Sequence, residues 1–286
     1  MKRILSILTI LLIGVSATAT AQTIVIPDDQ EGWGQTWVLN LNGSQASYDN
    51  WSEGGVNTIS GTFNTVFTKM YRKDQFSYGF RVNLKYGQSR IDGDTRKSDD
   101  LISIRNRATY DLQEGSKVSA YGAIQFRSQF ADGYNYGAGP LGEDILISAF
   151  MAPAYFTEGA GLQYNANENL QMQGGLALKQ TIVNDDDLIG FYNMDENFRS
   201  EGGLTTGITY QNILAENIQY SSSLETFTNF LLPFDETDVF WANEITGQIN
   251  SIVSASFQFE LRYDNDFSSE IQLKQVLSAG ISVNLY

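Results

Sequence analysis

The clearest signal along this chain is a two-residue alternation. From Phe76 to Tyr86 the even positions read Phe76, Tyr78, Phe80, Val82, Leu84 and Tyr86, and the odd positions between them read Ser77, Gly79, Arg81, Asn83 and Lys85. Successive side chains of a strand point to opposite faces, so this run predicts a strand with one apolar and one polar face. The pattern recurs in Ile102, Ile104, Ala108 and Tyr110 against Ser103, Arg105, Arg107 and Thr109, and in Val118, Ala120, Ile124 and Phe126 against Tyr121, Gln125 and Arg127. Phe257, Phe259 and Leu261 stand in the same way against Gln258, Glu260 and Arg262. Helical periodicity is missing. The alternation predicts twelve strands, at 35–47, 57–71, 75–89, 101–113, 117–130, 146–166, 170–183, 198–213, 217–231, 238–249, 252–263 and 271–286. The segment 146–166 is long, and Pro153 predicts a bulge or a break inside it.

The connections sort by length. Short turns fall at 72–74, 113–116, 167–169, 215–217 and 250–251, and longer loops near 48–56, 90–100, 131–145, 184–197, 232–237 and 264–270. Alternation of short and long connections predicts a sheet whose two ends differ, as in outer-membrane barrels with short periplasmic turns and long extracellular loops. The polar face consists mainly of Ser, Thr, Asn, Gln and Gly with sparse charges, which suits an enclosed polar lumen better than a solvated outer face. Phe76, Tyr86, Phe130, Phe198, Tyr210, Tyr220, Phe230 and Tyr263, near the strand ends, would form interfacial girdles. The reading is therefore all-β: a transmembrane antiparallel barrel of about twelve strands over 35–286, preceded by a periplasmic segment at 22–34.

The first residues give the compartment. Lys2 and Arg3 precede an apolar run from Ile4 to Val15, and Ala19-Thr20-Ala21 is a small-x-small cleavage site. This predicts a signal peptide over 1–21, cleavage near Ala21 and residence in the outer membrane of a Gram-negative bacterium. Beyond it no apolar stretch is long enough for a transmembrane helix. The final strand, Ser278 to Tyr286, resembles the C-terminal signal read by outer-membrane insertion machinery.

Composition narrows the chemistry. The chain has 286 residues with no cysteine and no histidine, and 18 basic against 33 acidic residues give a net charge of −15. Disulfides and serine–histidine or cysteine–histidine catalysis are therefore excluded, and nucleic acid is disfavoured as a partner. No enzymatic activity and no cofactor are expected. The expected partners are outer-membrane lipid and lipopolysaccharide, the insertion machinery and a small polar solute.

Function, if it lies in the lumen, falls to the inward charges. The polar faces place Arg81, Lys85, Arg105, Arg107, Arg127, Lys179 and Arg199 on one arc, and Glu201, Glu225, Glu244 and Glu260, joined by Arg262, on the other. The two arcs either leave a wet gap or meet in salt bridges that plug the barrel. Arg105, Arg107 and Arg127 are expected at the constriction of a narrow, porin-like channel for small polar or anionic solutes. The alternative is a non-conducting structural or surface-interaction barrel with a plugged lumen. Gly79, Gly175, Gly203 and Gly207 thin the inner wall, and the pairs Gly54-Gly55, Gly174-Gly175 and Gly202-Gly203 predict bulges or sharp curvature. More than half of the 33 acidic residues fall in the long loops. Asp185-Asp186-Asp187 is a weak surface candidate for Ca²⁺, without the spaced pattern of a calcium loop, so a solvated acidic surface is expected and no metal site. Trp51 is expected to pack within a folded loop.

Several segments carry a family resemblance: Asn50-Trp51-Ser52-Glu53-Gly54-Gly55, Arg96-Lys97-Ser98-Asp99-Asp100, Gln125-Phe126-Arg127-Ser128-Gln129-Phe130, Ala152-Pro153-Ala154-Tyr155 and Tyr263-Asp264-Asn265-Asp266. In these the chain resembles the uncharacterised outer-membrane barrel family of Bacteroidota called domain of unknown function 3078. Tyr286 stands where Phe would be expected, and Ser52-Glu53 where small residues are usual. The resemblance implies the barrel and no particular activity.

Overall fold

The computed structural model describes residues 24, 26–27, 30–47, 57–265 and 268–285. Fourteen strands run in chain order: β1 (Gly32–Ala46), β2 (Thr58–Lys73), β3 (Phe76–Ile91), β4 (Asp94–Asp111), β5 (Val118–Ser128), β6 (Gly133–Asn135), β7 (Ile145–Ser148), β8 (Ala154–Asn167), β9 (Leu170–Ile182), β10 (Phe198–Ala215), β11 (Ile218–Asn229), β12 (Asp238–Gln248), β13 (Val253–Asp264) and β14 (Ser268–Asn284). Twelve of them close one antiparallel barrel, in which β5 pairs with β8, while β6 and β7 form a separate hairpin. Closure is made by β1 and β14, in register from Val38 opposite Asn284 to Asn42 opposite Gly280. Both strands therefore have two partners, and the sheet has no free edge.

The faces follow the alternation. On β3, Ser77, Asn83 and Lys85 are buried inside the barrel, while Leu84 and its even-numbered neighbours look outward. The outward face leaves Leu41, Phe63, Leu162, Leu176, Leu273 and Leu277 exposed by between 47% and 82%, a belt of apolar side chains that only a lipid surround would cover. Rings gather where the belt meets the short-turn end. Trp33 lies 4.9 Å from Tyr71, Tyr71 lies 6.3 Å from Phe76, and Tyr210 lies 6.0 Å from Tyr220. Lys69 reaches over the Trp33 ring at 4.9 Å, its stem along the apolar surface and its ammonium toward the interface.

Four expectations need correction. The segment 146–166 is not one strand: β7 belongs to the outer hairpin, the chain turns through a cis Ala152–Pro153 bond, and the barrel strand begins at Ala154. Proline cannot donate to a ladder, so the strand starts just beyond it. The loop at 90–100 is mostly strand. β3 and β4 pair out to Ile91 and Asp94 and are joined by Asp92 and Gly93, both at positive φ as a tight hairpin turn demands. Likewise β13 and β14 continue to the pair Asp264–Ser268, so 264–270 is short. The glycine pairs at 174–175 and 202–203 sit in unbroken ladders; the register shifts come at Gly87/Gln88, Asn165/Asn167, Ile213/Ala215 and Arg262/Asp264. These inward glycines instead make room for rings. A Cβ on Gly175 would press first on the Ala160 carbonyl of the neighbouring strand and lie 2.8 Å from the Tyr121 hydroxyl, and one on Gly203 would press first on the Thr228 carbonyl and lie 2.7 Å from the Phe227 ring. Gly54-Gly55 and Trp51 lie outside the described residues.

At the loop end, 129–153 and 183–197 fold together over a small apolar cluster of Ala152, Val183, Leu188, Tyr192 and Met194. The Tyr192 hydroxyl donates to the Ile147 carbonyl at 2.7 Å, and Gln129 Nε2 donates to the Ala149 carbonyl. Burial raises the Tyr192 phenol above the ordinary tyrosine range, so it remains a donor at neutral pH. Asp100 accepts from the backbone N–H groups of Phe130 and Ala131 at 2.8 and 3.0 Å and ties this assembly to β4.

The outward belt gives a direct expectation. Leu84→Arg or Phe259→Arg, both on lipid-facing positions, should each cost roughly 2–4 kcal/mol of membrane stability and lower the folded, heat-modifiable fraction on a gel. The same change at Leu231, in a loop and 90% exposed, should leave that fraction unchanged.

Candidate lumen site

The strands turn all twelve sequence-predicted charges toward the interior, and the structure joins several of them in pairs. Arg105 on β4 meets Glu225 on β11 at 3.2 Å. These strands stand five apart round the barrel, so the ion pair is a strut across the lumen. Lys179 on β9 pairs with Asp238 at 2.6 Å and Asp264 at 3.8 Å, which joins it to β12 and β13. Asp99 on β4 is held between Lys85 at 3.4 Å and Lys274 of β14 at 2.9 Å. Arg199 and Glu201 pair along β10 at 3.2 Å, and Glu201 also accepts from Asn229 at 2.8 Å. Glu244 accepts from Gln258 at 2.9 Å. The basic and acidic arcs therefore meet at points rather than facing each other across an open gap.

The remaining cations lean on rings. Arg107 is buried, donates to Gln163 at 2.6 Å and stacks 4.1 Å from the centre of Tyr121. Arg127 and Arg262 approach Phe240 at 5.5 and 5.4 Å. Lys179 lies 5.9 Å from Tyr155 and 5.6 Å from Phe227. A ring face attracts a cation by about 0.5–2 kcal/mol, more where water is excluded.

Between these contacts the lumen keeps space in three parts. A cavity of about 230 Å³ runs along the β4–β12 side, from Asp238 and Asp264 at the loop end down to Arg107, Tyr121 and Gln173. A second, of about 100 Å³ and lined mainly by Asn, Ser, Thr and Gln with Lys85, Asp99 and Glu244, reaches Ser251 and Asn284 at the short-turn end. A neck of about 40 Å³ lies between them, lined by Arg81, Arg105, Arg127 and Glu260. It shares Arg105, Arg127 and Phe240 with the larger cavity and Lys85 with the smaller. Arg105 and Arg127 thus line the neck, whereas Arg107 lines the large cavity.

The segment assigned to 22–34 does not stay below the barrel. Gly32–Gly34 already belong to β1, and Ile24, 5% exposed, is inserted among the lumen residues. Its side chain fills the space that a Cβ on Gly79 would need and forms the floor of the large cavity. At the opposite end Tyr192 of the folded loops lies within electrostatic reach of Arg262 and Asp264. Of the three aspartates at 185–187, Asp185 serves the loop fold: its Oδ1 accepts from the Asp187 N–H at 3.1 Å and caps a one-turn 3₁₀ helix, Asp186–Leu188. Among the described residues no three His, Cys, Asp or Glu side chains gather into a metal-binding group.

Sequence reading missed Asp99, Asp238, Asp264, Lys274, Phe240 and Ile24. Phe240 shares the parity of Glu244 on β12, so the alternation already placed it inward. Asp99 was assigned to a loop because β4 was started seven residues late. Ile24 carries no signal in the sequence beyond being apolar.

Residues 44–134 match the family described as Protein of unknown function (DUF3078). This stretch includes the segments quoted above from Asn50 to Phe130; those at Ala152–Tyr155 and from Tyr263 onward lie beyond it. No curated protein matches the chain. Among solved structures, the chain is similar to the translocator domain of the autotransporter NalP from Neisseria meningitidis, at 12% identity and a TM-score of 0.39, covering 90% of this chain and 89% of that one. It is also similar to an outer membrane channel from Pseudomonas putida F1, at 11% identity and a TM-score of 0.41, covering 91% of this chain and 99% of that one. Neither likeness bears on what the lumen of this chain does.

The transverse strut can be tested as a coupling. Arg105→Ala and Glu225→Ala should each destabilise the barrel in urea, and the double variant should lose less than the sum, by about 1 kcal/mol. Simple additivity would show that the pair does not bind the two walls.

Proposed function

We propose that this chain is an outer-membrane barrel whose lumen is a narrow, gated path for small polar or anionic solutes. The observation that carries the reading is the series of cavities, about 230, 40 and 100 Å³, whose neck is lined by three guanidinium groups. Arginine stays charged in such a place, and rings of arginine or lysine favour anions in a pore. Ile24 closes the large cavity on the short-turn side, the folded loops stand at its other end, and the ion pairs narrow the path between. On this reading the chain conducts rather than catalyses, after export and cleavage near Ala21, with lipid and lipopolysaccharide around it and the insertion machinery as its assembly partner.

A second reading, a non-conducting barrel, is favoured by one observation: the Arg105–Glu225 and Lys179–Asp238 struts cross the lumen at 3.2 and 2.6 Å. Planar-bilayer conductance of the purified barrel separates the two. The channel reading expects small, anion-selective steps. Replacing Arg105, Arg107 and Arg127 together with Ala should raise conductance about two-fold or more and lower the anion preference. Ile24→Gly should raise the fraction of time spent open without changing selectivity. If the wild type and all of these variants are electrically silent, the plugged barrel takes the channel's place.

A further inference from the structure

The large cavity is basic inside an acidic protein. Across the chain 33 acidic residues outnumber 18 basic ones, yet this cavity is lined by five cations, Arg105, Arg107, Arg127, Lys179 and Arg262, against Glu225, Asp238 and Asp264. The three carboxylates are already engaged, Glu225 by Arg105 and the two aspartates by Lys179. Arg127 and Arg262 make no hydrogen bond or ion pair among the described residues; each meets the ring of Phe240 instead. Both are half-buried residues, and both line the cavity. Glu260, nearest in sequence to Arg262 on the inward face, lines the neck within electrostatic reach of Arg127, makes no ion pair with it, and does not line the large cavity.

The walls around these cations are aromatic. Tyr155, Phe227 and Phe240 enter from β8, β11 and β12, and Tyr121 closes the lower part beside Ile24. An inorganic anion would satisfy the guanidinium groups and leave these faces against water. A neutral apolar molecule would cover the rings and leave the Arg127 and Arg262 donors unused. A molecule with both parts satisfies both. An apolar cavity of roughly 150 Å³ accepts a benzene ring, so 230 Å³ suffices for a ring or short alkyl chain carrying a carboxylate.

We propose that this cavity is a binding site for amphipathic organic monoanions, aryl or alkyl carboxylates. The carboxylate is held between Arg127 and Arg262, and the apolar part lies against Tyr155, Phe227 and Phe240. Planar guanidinium groups match a carboxylate in two-point fashion, and the cavity walls supply the apolar area. The assignment deepens the channel reading by naming the class of solute held above its neck. Binding itself needs no conduction.

The test is calorimetric titration of the full-length barrel in detergent with four probes: benzoate, hexanoate, benzyl alcohol and inorganic phosphate. Benzoate and hexanoate should bind at least about ten-fold more tightly than either benzyl alcohol or phosphate, since each of these lacks one half of the recognition. Arg262→Gln should weaken benzoate by about ten-fold, and Arg262→Lys should recover part of the loss. Heat-modifiable migration on a gel shows whether each variant folds; should Arg262→Gln fail to fold, the four-probe comparison decides alone. Phosphate binding as tightly as benzoate would reduce the site to a simple anion trap. Benzyl alcohol binding as tightly would reduce it to an apolar pocket. Either result overturns the proposal, as does a folded Arg262→Gln barrel that binds benzoate unchanged. Benzoate binding by an electrically silent barrel would keep the site and remove the channel; conductance without binding would do the reverse.

Discussion

Closure of β1 on β14 is the constraint from which the rest follows. An open sheet of this length would carry two rows of unpaired N–H and C=O groups, which no hydrocarbon environment can satisfy. Once Val38–Asn42 pair with Asn284–Gly280, every barrel strand has two neighbours and each of its residues has a fixed side. A single-residue slip at that seam would turn Val38 toward lipid and Leu39 inward, and would carry the polar and apolar faces of the whole barrel with it. Twelve strands also set the inner width, between filled eight-strand barrels and open porins.

That width makes the lumen charges matter. A guanidinium withdrawn from bulk water needs an anion, a ring or retained water. This lumen uses the first two and keeps space for the third. Arg105 reaches across to Glu225, Arg127 and Arg262 rest on Phe240, and the space left over falls into two cavities and a neck. Inward glycines are part of the same economy of space, since Gly175 and Gly203 yield room for the backbone of the adjacent strand as well as for Tyr121 and Phe227, and Gly79 yields it for Ile24. Structural bracing and the proposed solute selection thus draw on the same few side chains.

The alternation of side chains made the sheet and its inward charges legible, because a period of two is a purely local property. Arg81, Lys85, Arg105, Arg107, Arg127 and Lys179 could be set on one arc from parity and strand order alone. The pairings across the lumen could not, because they depend on strand stagger, which no local pattern records. Polar composition was a poor guide to loops: Asp94-Thr95-Arg96-Lys97 reads as a loop yet continues β4 as a ladder paired beyond the apolar belt. Ile24 shows the opposite failure. An apolar residue in a segment expected to be periplasmic is buried in a polar lumen because Gly79 leaves a space that fits it.

The central claim is that one face of every strand meets lipid and the other meets a wet, accessible lumen. The chain has no cysteine, so single introduced thiols report without background. The decisive measurement is labelling of Gln125→Cys, Thr157→Cys, Ser256→Cys and Ser278→Cys, all lining cavities, against the outward Leu176→Cys, Phe257→Cys and Leu277→Cys, with a small water-soluble thiol reagent in reconstituted vesicles. The account expects the four inward positions to react and the three outward ones to remain protected until detergent is added. Equal reactivity on both faces, or protection of the inward set alone, would contradict it.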